Sequence, residues 1–416
     1  MSALGALSPR ARVLLGAFLV VVVAGAGVLG YLVWRERPAT GSAARVEALR
    51  TGSGTVVAGG DLVPAGTPLQ LAFSAEMDPS RVRLLANDSA VGLSWAGDHK
   101  SAALDVSSLH RGRVALSIAS GARDAAGNSL ASWSLAFSLV FGIATHTVPL
   151  PAPVLVQVPN DPSARDQVGL QSADLVYEYL TEGGITRFTA IYTSAPDSVG
   201  PVRSGRTISF ALTRAYGGLL LASGLSDGAA HVLNSNPVPH VFDTGTGVFH
   251  RASDRPSPNN LFTGGAQMQR AVSGASLPHV SLPAGKVPIH AGQAATSVGV
   301  PQHGSTYSFD ASTGTYTKQV AGRTLSDAAT GQPLHIQLLI VLHTTATPTP
   351  YVEDVTGAHG LDFDLRSGGR AEFYFDGVQA NGRWSSPSAH SPLHFQLDGG
   401  ATVSPPQMTW VDVVAS

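Results

Sequence analysis

Residues 175–192, LVYEYLTEGGITRFTAIY, constrain this chain more than any other stretch. Two runs rich in aromatic and β-branched residues flank Gly183-Gly184. Paired glycines supply the positive φ angles of a tight hairpin turn, so the segment reads as two antiparallel strands. A two-residue loop pairs Glu182 with Ile185, Leu180 with Arg187 and Glu178 with Thr189. Side chains alternate between the faces of a strand. Tyr177, Tyr179, Thr181, Thr186, Phe188, Ala190 and Tyr192 then make an aromatic face aimed at a core. Glu178, Leu180, Glu182, Ile185, Arg187, Thr189 and Ile191 make the other, with two carboxylates diagonal to one arginine. A solvated pair of that kind contributes only about 0.2–1 kcal/mol.

The hairpin sits in a charge-dense region, 160–262, of a chain with only 13% charged residues. GPVRSGR (200–206) and FHRASDRPSPNNLF (249–262) belong to the same region. Arginine forks suit carboxylate or phosphate recognition. Glu178, Glu182, Arg187, Arg203, Arg206, Arg251 and Arg255, with Asn259 and Asn260 beside them, are therefore candidates to bind an anionic or sugar-like ligand. A rigid internal salt network is the competing reading. A net charge of −2 leaves no electrostatic footprint for nucleic acid. The absence of cysteine excludes disulfides, thiolate metal sites, cysteine catalysis and a lipid-modified cysteine.

Gly224-Leu225-Ser226-Asp227-Gly228 matches G-x-S-x-G, between the apolar run GLLLAS (218–223) and AAHVL (229–233). That is the strand–turn–helix setting of a nucleophile elbow, with Asp243 or Asp254 and His250 as conceivable partners. No HGGG-type oxyanion loop precedes it and no parallel βα succession follows. The favoured reading is a tight turn in which Ser226 or Asp227 caps a helix whose free N–H groups receive an anion. Glu178 and Glu182 are a second catalytic alternative, as a carboxylate pair. The histidines show no ligand spacing, and no P-loop or dinucleotide fingerprint occurs, so neither metal nor cofactor is expected. Asp124 and Asn128 read as polar residues holding a turn rather than as calcium ligands.

Val13–Trp34 is an uncharged run of 22 residues. As a helix it spans about 33 Å, enough to cross a bilayer. This predicts a cytoplasmic tail at 1–12, a single transmembrane anchor at 13–34 and a linker at 35–45. Residues 46–143 alternate in short runs separated by turn residues, the pattern of a β-sandwich. A proline-rich junction follows, then mixed strands and helices over 154–280 and a β-rich region over 300–416. LLIVL (338–342) reads as a buried strand, and Asp376-Gly377 as a hairpin turn. The fold class expected is mixed α+β with an N-terminal transmembrane helix.

Two resemblances add to this reading. LQLAFSAEMDPSRV and ARDAAGNSLA resemble the bacterial Ig-like modules of surface proteins. From Pro159 onward the chain resembles the YerB-like, or DUF3048, family of bacterial envelope lipoproteins. The match runs through YEYLTEGGITRF, GPVRSGR, LASGLSDGAAHVL and FHRASDRPSPNNLF, then YSFDASTGTYTKQVAG, LLIVLH, AEFYFDGVQANGRW and TWVDVV. Asn259 stands where members commonly show histidine, and Lys318 where they show arginine. Gln407-Met408 replaces a proline-glycine pair. The lipid-bearing cysteine is missing, and the 13–34 helix takes over its task. The resemblance implies an α/β first domain, a β-rich second domain and an extracytoplasmic location, but no settled activity. The combined expectation is a non-enzymatic, membrane-anchored envelope protein that binds a cell-wall polymer or an envelope protein partner. The alternative is an envelope hydrolase using Ser226 or the Glu178/Glu182 pair.

Overall fold

The computed structural model describes residues 43–141, 147–245, 247–278, 282, 285–289, 292–353 and 357–416. The first stretch is a two-sheet β module with five strands in each sheet. Strands such as Leu69–Phe73 bury every second residue. Leu49, Leu71, Phe73, Leu116 and Phe137 meet in a core that belongs to this module alone. Asp124 and Asn128 hold a turn, as expected: the Asn128 backbone N–H and side-chain amide donate to the two Asp124 carboxylate oxygens at 2.7 and 2.9 Å.

One long sheet organises the rest. Its main strands, numbered in chain order within it, are β1 (Thr147–Pro159), β2 (Leu175–Leu180), β3 (Thr186–Pro196), β4 (Leu219–Ala222), β5 (His240–Phe242), β6 (Leu338–Thr344), β7 (Gly369–Phe375), β8 (Val378–Ser385), β9 (His394–Leu397), β10 (Thr402–Val403) and β11 (Thr409–Ala415). They lie in the order β5-β4-β1-β3-β2-β11-β6-β7-β8-β9-β10, with Gln293–Ala294 added on β8. The last strand joins the two halves of the body. β11 pairs in parallel with β2 on one side and with β6 on the other, so that Trp410 lies between Val176 and Leu339.

Both faces of this sheet are covered. On one, α1 (Thr207–Tyr216) and α2 (Asp227–Ser235) bring Ile208, Phe210 and Leu233 against Tyr177, Tyr179, Ile340 and Val411. On the other, α3 (Gly265–Ser273) and the strands Ser305–Asp310 and Thr315–Val320 bring Met268, Tyr307 and Tyr316 against Val176, Phe188, Leu339 and Trp410. Burial from both sides removes the polar alternation of a half-buried strand. Leu338–Leu342 is accordingly buried throughout. Asp376-Gly377 closes the β7–β8 hairpin with both residues at positive φ, as a two-residue turn requires.

Two expectations are corrected. The mixed α+β class gives way to a mostly β architecture, in which the α-helices among the described residues are only 9 or 10 residues long. The helices only cover parts of the two faces of a sheet that the strands build. No described helix is long and apolar enough to cross a membrane. The expected 13–34 span lies outside the described residues.

The second correction is the hairpin register. The Thr181 backbone N–H and hydroxyl both donate to the Ile185 carbonyl, at 2.7 and 2.8 Å, closing a loop over 181–185. Gly183 and Gly184 sit at φ 69° and 71° inside it. Leu180 therefore pairs with Thr186, Tyr179 with Arg187 and Glu178 with Phe188, one residue from the expected pairing. A slip of one residue turns side chains to the opposite face. Glu178 and Arg187, expected together, point to opposite sides of the sheet.

Candidate functional site

The carboxyl ends of the parallel strands β1, β4 and β5 form one edge of the body, the place where open parallel sheets receive ligands. The 200–206 loop lies across this edge. Arg203 N–H donates to the Gln157 carbonyl of β1 at 2.9 Å, and Ser223 N–H, just past β4, donates to the Arg203 carbonyl at 3.0 Å. Gly205 N–H reaches the Gly224 carbonyl at 2.9 Å. The chain then enters α1, where Arg206 is the N-cap and exchanges hydrogen bonds with Ser209.

This path gathers three guanidinium groups. Arg206 forms a two-pronged pair with Glu182, one prong at 2.8 Å. Arg187, opposite Tyr179 on β3, lies 3.9 Å from the same carboxylate and donates to the Ser204 carbonyl at 2.8 Å. Arg203 is half-buried and donates to the Asn259 side-chain carbonyl at 3.1 Å. Glu182 is the one carboxylate among the described residues paired with any of the three. Burial, followed by repulsion from Arg206, pushes Arg187 down to about 10. Its Nε is buried and has no acceptor. Burial acts to raise Glu182, but the hydrogen bond and charge of Arg206, then the charge of Arg187, hold it below its ordinary value. Three fixed cations against one anion leave a local excess of positive charge in a poorly solvated setting, where electrostatic attraction exceeds that in bulk water.

The remaining expected residues extend from this centre. Asn259 also donates to Ser163 at 2.8 Å. Arg251 donates to Asn260 at 2.9 Å and pairs with Asp243. Arg255 donates to the carbonyls of Ala164 and Asp166, at 3.3 and 2.8 Å, and lies over the Phe262 ring. Ser226 is the N-cap of α2, its hydroxyl accepting from Ala229 N–H at 3.4 Å, and Asp227 is exposed in the first turn. Among the described residues no hydrogen bond links Ser226 to His250, Asp243 or Asp254: His250 Nδ1 bonds Gln267, Asp243 accepts from Arg251, and Glu178 lies on the opposite face from the Glu182 cluster.

Glu178 belongs to a different, sealed cluster on the opposite face. One oxygen accepts from Thr186 at 2.8 Å and from Asn160 at 3.3 Å; the other accepts from Trp410 Nε1 at 2.9 Å and from Lys318 Nζ at 2.7 Å. Lys318 also donates to Ser305 at 2.7 Å and to Tyr307, and lies 3.9 Å from Asp412. Asp412 accepts from His303 Nδ1 and from the Tyr307 hydroxyl, each at 2.7 Å. The side chains of Glu178, Lys318, Asp412 and His303 have no exposed surface. Glu178, His303 and Asp412 offer atoms near enough to one another for a cation, but the Lys318 ammonium already occupies the charge-neutralising position. Glu178 therefore pairs with Lys318 rather than with Glu182 or Arg187. Sequence reasoning missed Lys318, His303 and Asp412. The available signal was a charged residue inside the apolar run TWVDVV and one of only three lysines in the chain.

Two family models match this chain: the N-terminal domain of DUF3048 over residues 142–277 and the C-terminal domain over residues 296–411, each described as a protein of unknown function. Together they cover more than half of it. The chain belongs to the DUF3048 family. It is 30% identical over 276 residues to a Bacillus subtilis (strain 168) protein described as "Putative lipoprotein YerB", a match spanning 63% of this chain and 81% of that one. The crystal structure of YerB from Bacillus subtilis superposes with a TM-score of 0.52 at 27% identity, over 64% of this chain and 91% of that one. The guanidinium cluster, Glu178, His303 and Lys318 lie in the family-matched part, outside the two-sheet module, and Asp412 lies one residue beyond it.

Proposed function

We propose that this chain is an envelope-associated binding protein whose guanidinium cluster captures an anionic group of a cell-wall polymer. The observation that carries this reading is the pairing of Arg187 and Arg206 with the single carboxylate of Glu182, with Arg187 buried and its Nε unpartnered, and with Arg203 near enough for its charge to act on Arg187. Arginine forks recognise phosphate and carboxylate oxygens by paired N–H donors, and the position at the carboxyl ends of parallel strands suits a ligand. Envelope association is supported by the relative's description as a lipoprotein. A binding role without catalysis is supported by the engaged states of Ser226, His250 and Asp243.

The test is cosedimentation of the purified chain with cell-wall sacculi, before and after removal of their phosphate-bearing polymers. Binding should fall at least tenfold on removal of the phosphate polymers, and by a similar factor in Arg203→Gln. Arg203 is half-buried and its side-chain bond is to a neutral amide, so this variant should keep its fold. Equal binding to stripped and intact sacculi, or unchanged binding by a folded Arg203→Gln, rejects the anion reading.

A further inference from the structure

On the helical side of the sheet, a cavity of about 680 Å³ separates α1 from the second half of the chain. That volume lies within the about 300–1,000 Å³ typical of small-ligand sites. Its walls come from both halves of the family fold. Ala211 and Arg214 of α1 and the Asn236-Pro237 turn after α2 form one side. Thr347, on the strand Ala346–Val352, and Asp362 to Arg366, which follow from the strand His359–Phe363, form the other, with His390 at the rim.

Two arginines and two aspartates line this cavity without a close ion pair among the described residues, although the charge of Arg366 adds to the hydrogen bonds that hold Asp364 below its ordinary value. Arg214 donates to the Asn236 carbonyl at 3.0 Å and Arg366 to the Ser386 hydroxyl at 2.8 Å. Neither guanidinium forms an ion pair with a carboxylate among the described residues. Asp364 uses one oxygen to hold the turn, accepting from Arg366 and Ser367 N–H at 2.7 and 3.1 Å. Asp362 is exposed at the rim. A polyanion entering here meets two carboxylates, and a polycation meets two guanidiniums. The complementary guest carries one charge of each sign, separated by a short neutral backbone. Thr345, Thr347 and Asn236 also line the cavity, with hydrogen-bonding groups suited to peptide amides.

We propose that this cavity is a binding site for a short zwitterionic peptide, its carboxylate held by Arg366 and its amine by Asp362. The proposal stands apart from the anion site at Arg203. Partial burial against the cavity wall, with the charge of Asp364, raises the Asp362 carboxyl above its ordinary value. Capture of an ammonium there should reverse that rise, so peptide binding should release protons at mildly acidic pH.

The test uses the full chain and a library of free tripeptides, read by saturation-transfer NMR, with N-acetylated and C-amidated versions of each hit. Free tripeptides should bind, either cap should weaken them at least tenfold, and Arg366→Gln and Asp362→Asn should each do the same. Arg203→Gln should leave the tripeptides bound, which separates this site from the wall-polymer reading. Both cavity variants alter exposed side chains, and their melting curves establish that they fold. The proposal is overturned if no tripeptide transfers magnetisation, if capped and free peptides bind alike, or if the two folded variants bind as the parent does.

Discussion

Replacing Lys318 with Met isolates the energetics of the sealed cluster. The side chain keeps its length and apolar stem and loses only the ammonium. Glu178 is then left fully buried without the cation 2.7 Å away, and Asp412 loses a cation at 3.9 Å. Removing one partner of a buried pair costs about 3–5 kcal/mol, because the survivor stays charged or takes up a proton in a place built for neither. Trp410 Nε1, Thr186 and Asn160 still donate to Glu178, which favours the lower half of that range. For a body of this size each kcal/mol moves the melting temperature by about 2–4 °C, so a fall of about 10 °C is expected. Urea unfolding read by near-ultraviolet circular dichroism gives the free energy directly. The double variant Lys318→Met/Glu178→Gln should recover part of the loss, since the neutral amide removes the buried charge while its carbonyl oxygen still accepts hydrogen bonds. A single-variant loss below about 1 kcal/mol, the size of a solvated surface pair, would refute the argument that this cluster is dry and that the ammonium neutralises it.

Two further outcomes follow from the same geometry. Burial acts to lower His303, but the charge and hydrogen bond of Asp412 overcome it and raise the imidazole above its ordinary value. A raised folded value gives stability that is complete below about pH 6.5 and lost as pH rises through that folded value. Burial acts to raise Asp412, yet Lys318 and then His303 pull it down to about 2, so its contribution is present above the ordinary carboxyl range and lost as pH falls toward 2. Unfolding free energy should therefore be greatest between about pH 4 and 6.5, and His303→Gln should flatten the alkaline limb in urea titrations across pH. Ser226→Ala should cost about 1 kcal/mol through loss of the α2 cap, measured by thermal unfolding, with wall-polymer binding intact; loss of an enzymatic activity in that variant would revive the nucleophile reading.

The amino-acid order determined the local features of this protein. Alternation in LQLAF and its neighbours specified short strands with one buried face. Asp376-Gly377 specified its turn, because few residues tolerate the positive φ angles that turn needs. The motifs YEYLTEGGITRF and GPVRSGR carried the family. The convergence of Arg187, Arg203 and Arg206 was legible as a concentration of arginine, though not which carboxylate would answer them. That choice depended on a loop over 181–185 in place of a turn over the two glycines alone, a single residue of register that sends Glu178 to one side of the sheet and Arg187 to the other. The Glu178–Lys318–Asp412–His303 cluster was decided by tertiary structure, because the final strand inserts beside Val176 and carries Trp410 and Asp412 with it. Local sequence encodes turn and strand preferences through short-range sterics. Which distant charges share a desolvated space depends on how strands order themselves across the sheet, and no spacing along the chain records that.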